Sequence, residues 1–228
     1  MSSFVEHTIM VFYHSRNKFL VCFGIFLFLI LGACSSLKTL DSVDPDIMDL
    51  KIFDQDFEKA LYKSTMKYKG NTLSGLMLIK YLPAYQSYRV VFMSEVGFNY
   101  FDYEFLNSEE NNFKVHYSVS YLNNRSFIKK IKPALESLFM NYSESTEKSY
   151  FLDQKDGIIL TRYQGIGVNS YYSRNENEDL YLKIEIKGMF YTKSRIEILE
   201  YVGSGPSKIH IIHKPKSFEI DLLRIDNY

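Results

Sequence analysis

The chain has 228 residues, 27 basic and 27 acidic side chains, two cysteines and no tryptophan. Such a length suits one domain and crowds two, and a formal net charge of zero lacks the electrostatic footprint of a nucleic-acid binder. Two cysteines cannot make a disulfide-rich scaffold or a four-thiolate zinc site, and apolar residues at 46% exclude wholesale disorder. The departure from ordinary composition is aromatic, with 19 Tyr and 18 Phe. Both are strong strand formers whose rings pair across strands, so sheet structure or base composition accounts for the excess without function, and a functional use of the rings stays open beside it.

Residues 1–33 read as a targeting segment. Arg16 and Lys18 flank an apolar run of 13 residues, Phe19 to Leu31. A spanning helix needs roughly 20, whereas the apolar core of a signal peptide needs roughly 7 to 15. The run closes on Leu31-Gly32-Ala33-Cys34, which resembles the lipobox of bacterial lipoproteins. The resemblance implies cleavage before Cys34 and a diacylglycerol on its thiol, which together make a membrane anchor without a transmembrane helix. Ser35 follows where the sorting rule of enteric bacteria reads its signal, which implies the outer membrane. The start stays open between Met1 and Met10. Cys22 leaves with the leader, so no redox thiol or cysteine nucleophile is expected.

Residues 34–56 read as a lipidated tether, with Ser35, Ser36, Ser42, Pro45 and six aspartates and no sustained apolar face. A short helix from Asp46 to Phe57, through Ile47, Leu50 and Phe57, is the alternative reading of the same stretch. The domain expected over residues 57–228 is mainly β. From about Ala60 the period becomes two: Leu73, Gly75, Met77 and Ile79 alternate with Ser74, Leu76, Leu78 and Lys80. Strands follow at Tyr88–Glu95 and Phe98–Phe105. A half-buried strand is read from Phe113, Val115, Tyr117, Val119 and Tyr121 against Lys114, His116, Ser118 and Ser120. Breaks at Gly70-Asn71, Pro83-Ala84 and Gly97 are short, so the strands form antiparallel hairpins.

Residues 124–141 switch to period 3.6, placing Phe127, Ile128, Ile131, Leu135, Leu138 and Phe139 on one stripe. Ser126 is the expected N-cap, and Pro133 either kinks this helix or starts a second. Lys129, Lys130 and Lys132 take the opposite face as solvated charges. Strands resume at 157–164, 167–172, 180–187, 194–202, 208–213 and 218–225, about ten in all. Such a sheet curls or closes.

The stretches Leu73-Ser-Gly-Leu-Met-Leu-Ile-Lys80, Ser87-Tyr-Arg-Val-Val-Phe-Met-Ser-Glu-Val-Gly97 and Phe101-Asp-Tyr-Glu-Phe105 are similar to the opening of LolA/LolB-type lipoprotein carriers, and Ile209 to Arg224 resembles that family's last hairpin. The resemblance implies an unclosed antiparallel barrel, with one or two helices on its concave side, that carries acyl chains.

Enzymatic signatures fail on geometry. Ser64-Thr-Met-Lys67 has the S-x-x-K form, but in a strand positions i and i+3 face opposite sides, and no K-T-G accompanies it. Ser145-Thr-Glu-Lys148 is a second chance match in a polar stretch. His210 and His213 share the strand objection as metal ligands, with His116 as the remaining candidate. Gly203 to Ser207 joins two strands and lacks a P-loop lysine. Asp102 and Glu104 on one strand face read as a solvated strand end. No catalytic residue, metal or cofactor is expected. Two early strands are apolar on both faces, so a lipid-handling lipoprotein is expected, a monomer lining its hollow with Leu76, Leu78, Val90, Phe92, Ile128 and Ile131. Its ligand would be a lipid or a lipidated client. The alternative is a non-catalytic structural or adaptor lipoprotein bound to another envelope protein.

Overall fold

The structure is a computed structural model and describes residues 41–42, 51–107, 112–140, 146–153, 156–165, 168–178, 180–188, 191–215 and 217–225. Cys34, the leader and most of the tether lie outside the described residues. Thirteen strands form one antiparallel sheet: β1 (Asp41–Ser42), β2 (Lys59–Tyr68), β3 (Asn71–Leu82), β4 (Ser87–Met93), β5 (Asn99–Leu106), β6 (Phe113–Ser118), β7 (Glu147–Asp153), β8 (Ile158–Gly165), β9 (Val168–Asn175), β10 (Lys183–Lys187), β11 (Thr192–Val202), β12 (Gly205–His213) and β13 (Phe218–Arg224). Their spatial order is β1-β7-β8-β9-β10-β11-β12-β13-β2-β3-β4-β5-β6. Two meanders, β2 to β6 and β7 to β13, are thus joined by pairing of the last strand with β2. The sheet does not close, as expected, because β6 ends one side and β1 the other.

The single described α-helix, α1 (Arg125–Phe139), links β6 to β7. Those strands stand at or next to opposite edges of the sheet, so the connection must cross the hollow between them. The apolar stripe suits that crossing: Phe127, Ile131, Ala134, Leu135, Leu138 and Phe139 are all buried. Pro133 neither ends the helix nor starts another; one helix runs through it. The N-cap is Asn124 and not Ser126. Asn124 has extended backbone and its Oδ1 accepts the Phe127 N–H at 2.9 Å, so the helix begins one turn before that donor.

Aromatic rings fill the hollow beneath α1. Phe101 stacks on Tyr103 at 4.5 Å, Tyr88 stacks on Phe139 at 4.5 Å, and Phe53 meets Phe57 at 4.4 Å. Part of the composition excess goes into this packing. The tether boundary moves too. Ile52 and Phe53 are buried with the core, residues 51–58 form bends and a turn with no helix, and Phe53 lies against Gly205. Phe113 to Tyr121 is not the half-buried strand that its alternation suggests. Only residues 113–118 are strand, at the sheet edge, with Val115 and Tyr117 exposed.

Beneath the start of the helix, His213 stacks on Phe218 with ring centroids 5.4 Å apart, and Ser194 Oγ lies 2.8 Å from its Nδ1. Burial, with Lys130 and Lys193 nearby, lowers its imidazole to about 4. An unfolded histidine titrates near 6.5. The folded state therefore favours the neutral ring, and this contribution to stability is complete above about 6.5 and lost as pH falls toward 4. His213→Phe is expected to flatten the decline of the urea midpoint between pH 7 and pH 5. An equally steep decline in the variant would assign it to other groups.

Candidate functional site

Cross-strand register decides where the six expected lining residues go. Ile79 pairs with Val90 and Met77 with Phe92, so Val90 and Phe92 join the face under α1. Leu78 pairs with Val91 and Leu76 with Met93, which puts Leu76 and Leu78 on the outer face. Val90, Phe92 and Ile131 are fully buried in packed core, while Ile128, Leu76 and Leu78 are half-buried. The six do not form one wall. Alternation shows which residues of one strand share a face, but not which face of the next strand they meet.

An opening lies instead at the C-terminal end of α1. It is a cavity of about 410 Å³ lined by Lys51, Phe53, Asp54, Gln55, Tyr81, Gln86, Tyr88, Asn107, Phe139 and Met140. Four segments build it. The helix ends at Phe139, where Met140 takes a left-handed cap with φ 51° and its N–H reaches the carbonyls of Glu136 and Ser137. A 3-10 turn, Pro83–Tyr85, bends the chain from β3 into β4 and ends on Gln86 with φ 46°. The 51–57 segment is fastened by the Asp54 N–H donating to the Ser204 carbonyl at 2.8 Å. Asn107 follows β5.

The opening has an apolar wall and a polar rim. Phe53, Tyr81, Tyr88 and Phe139 make a connected aromatic surface, with Phe53 5.9 Å from both Tyr88 and Phe139 and Tyr81 5.0 Å from Tyr88. Burial, with Tyr81 alongside, pushes the Tyr88 phenol up to about 12. It is therefore a neutral hydroxyl at physiological pH and no base. Lys51, Asp54, Gln55, Gln86 and Asn107 supply the polar groups. The opening has the volume of a small-ligand site, with aromatic rings at its base and polar groups over most of its exposed surface.

The chemical decoys resolve by position. Ser64 is buried toward the core, while Lys67 is exposed and lies 3.5 Å from Glu219. His213 lies under the sheet, but His210 is on the outer face, its Nδ1 2.6 Å from Asp221. His116 pairs with Glu104 at 2.7 Å. Candidate ligand atoms of His210, Glu219 and Asp221 lie within 4.8 Å of one another. That cluster was invisible in the sequence because the strand pairing of β12 with β13 creates it. Asp102 and Glu104 are not a solvated strand end. Both are buried, Asp102 held by Arg89 at 2.6 and 2.8 Å and Glu104 by Ser87 and His116.

No family model matches the chain, and no curated protein matches it in sequence. Among solved structures it is similar to a domain described as that of an outer membrane lipoprotein-sorting protein, from Vibrio parahaemolyticus. That likeness has a TM-score of 0.51 at 11% identity, over 76% of this chain and 86% of the other. A DUF1329 family protein from Desulfovibrio piger is a more distant match, with a TM-score of 0.43 at 8% identity over 75% and 85% of the two chains. The first likeness gives the fold: an unclosed antiparallel sheet of the LolA/LolB-like kind around one helix.

Proposed function

We propose that the chain is an envelope lipoprotein that takes an acyl chain or similar amphiphile into the opening at the end of α1. The observation carrying this reading is the aromatic wall of Phe53, Tyr81, Tyr88 and Phe139 inside a polar rim. An acyl chain would bury apolar surface against the rings at about 25 cal/mol per Å², while its polar end would stay among Lys51, Gln55 and Asn107. The shared fold with a lipoprotein-sorting domain supports the same reading.

The test fills the opening. Gln55 and Asn107 are exposed at its rim, so Gln55→Trp with Asn107→Trp leaves the core intact. Native mass spectrometry of the gently extracted full chain is expected to show co-purifying phospholipid, and the double variant should lose it. Saturable binding of a fluorescent fatty acid should weaken about tenfold or more, which is 1.4 kcal/mol. Equal binding by both proteins would remove the cavity from the mechanism. A stoichiometric protein in place of lipid would favour the adaptor reading.

The anchor belongs to the same proposal. With Leu31-Gly32-Ala33 before it, Cys34 is the acylated residue and the chain is held at the outer membrane. Cys34→Ala should leave the leader uncut and abolish labelling with an alkyne fatty acid. Labelling that survives the substitution refutes the assignment.

A further inference from the structure

The outer face of the sheet carries an apolar strip where a wet antiparallel face should be polar. Strand register assembles it. The Ile225 N–H donates to the Leu61 carbonyl at 2.9 Å, Leu61 pairs with Leu78, and Leu78 pairs with Val91, giving one row across the β13 edge, β2, β3 and β4. A second row runs Leu223, Lys63, Leu76, Met93. At about 4.8 Å between strands each row is about 14 Å long. Leu223 and Ile225 are 50% and 46% exposed.

Charge on this face is uneven. Lys59 pairs with Lys80, and Lys80 with Arg89, in the row beyond the strip. Arg89 is engaged by Asp102, but Lys59, Lys63 and Lys80 are exposed and form no ion pair with a described residue. Four carboxylates of β5 and β13 on this face are already engaged, Asp102 by Arg89, Glu104 by His116, Glu219 by Lys67 and Asp221 by His210, and beyond Leu223 the exposed Lys208 stands opposite the exposed Glu200. Three uncompensated cations therefore border or interrupt an apolar strip.

We propose that this face docks on an anionic lipid bilayer, with Leu223, Ile225 and their rows entering the interface and Lys59, Lys63 and Lys80 meeting the headgroups. Lys63 decides between a bilayer and a protein. It stands in the middle of the strip, between Leu223 and Leu76. Against a protein it would be an unpaired charge in the interface core, where lysine is depleted and desolvation is costly. Against a bilayer its stem lies along the leucines and its ammonium reaches a phosphate. Each lysine near an anionic surface strengthens binding about fivefold, so three amount to about a hundredfold. The strip is separate from the opening at the end of α1, and the two stand or fall independently.

The chain has no tryptophan, so Leu223→Trp in the full chain creates a single tryptophan that can be excited selectively over the tyrosines. Tyr191→Trp, at an exposed position after β10, is the reference, and it reports any approach to lipid caused by the N-terminal segment alone. Both are mixed with vesicles of brominated phosphatidylcholine, with or without phosphatidylglycerol. Quenching is expected at Leu223→Trp with phosphatidylglycerol present, and little at Tyr191→Trp. Adding Lys59→Gln, Lys63→Gln and Lys80→Gln should raise the lipid needed for half-quenching about a hundredfold with an unchanged far-UV spectrum. Ile225→Trp repeats the measurement should Leu223→Trp not fold. Equal quenching at both reporters, no quenching, or indifference to the lysine changes overturns the proposal. So does a Leu223→Trp spectrum that responds to protein concentration and not to lipid, which would assign the face to a second copy. Gln55→Phe with Asn107→Phe, which narrows the opening without adding a tryptophan, should leave the quenching unchanged.

Discussion

Replacing Leu135 with alanine is expected to destabilise the domain by about 2 to 5 kcal/mol. Leu135 has no exposed surface and sits in the middle of the α1 stripe, between Ile131 and Leu138. The helix lies over β10 and β11, strands that carry the buried Ile184, Ile186, Ile196 and Ile198. Truncation removes three carbons from a site walled by sheet on one side and by the helix's own backbone on the other, neither of which can move in freely. The cost therefore includes a cavity as well as lost transfer energy. Urea unfolding of the two proteins measures it, provided the slope is unchanged. A difference below about 0.5 kcal/mol, the range of surface substitutions, would mean that the helix does not seal the hollow.

Gly75→Ala is expected to cost about 1 to 3 kcal/mol through the opposite fault, too much volume. An alanine Cβ built at this position lies 1.9 Å from the Met93 carbonyl oxygen and 2.9 Å from both the Met93 carbonyl carbon and Ser94 Cα. All three are backbone atoms, so no side chain can swing aside. Met93 is also where the pairing of β4 with β5 shifts register. The Ser94 N–H donates to the Phe98 carbonyl at 2.8 Å, which ties the turn down just where the methyl pushes. Alanine restricts the unfolded chain and returns about 0.4 to 1 kcal/mol, too little to offset the clash. An unchanged urea midpoint would show that β4 can move away from β3 at no cost.

Gly75 also marks how far the sequence could be read. Its place in an alternating strand was legible, and so were the antiparallel order and the helix stripe, because each depends on residues within about ten positions. Assigning Leu76 and Leu78 to the wall formed by Val90 and Phe92 failed because register is a relation between strands, set by the β3–β4 turn. Ser126 and Asn124 both have capping chemistry, and composition does not rank them; the backbone conformation at Asn124 does. β7 was missed because Glu147 and Lys148 disguise its start as a polar loop. The opening was beyond local pattern altogether. Phe53, Tyr88 and Phe139 come from a turn, a strand and a helix end, and Phe53 sat in a segment whose aspartates suggested a solvated tether.

The pairing of β13 with β2 has a consequence for the order in which the protein can form. Lys67 and Glu219, opposite each other in that seam, are 152 residues apart in the chain. Until Phe218 to Arg224 has left the ribosome, β2 and β12 are both open edges, and the two meanders have no strand to join them. Joining ends so distant in sequence is slow, and exposed edges invite pairing with other chains in the meantime. A chain shortened before β13 should therefore behave as two separate ribbons prone to aggregation, and a chaperone that shields β2 would act most strongly on the nearly finished polypeptide.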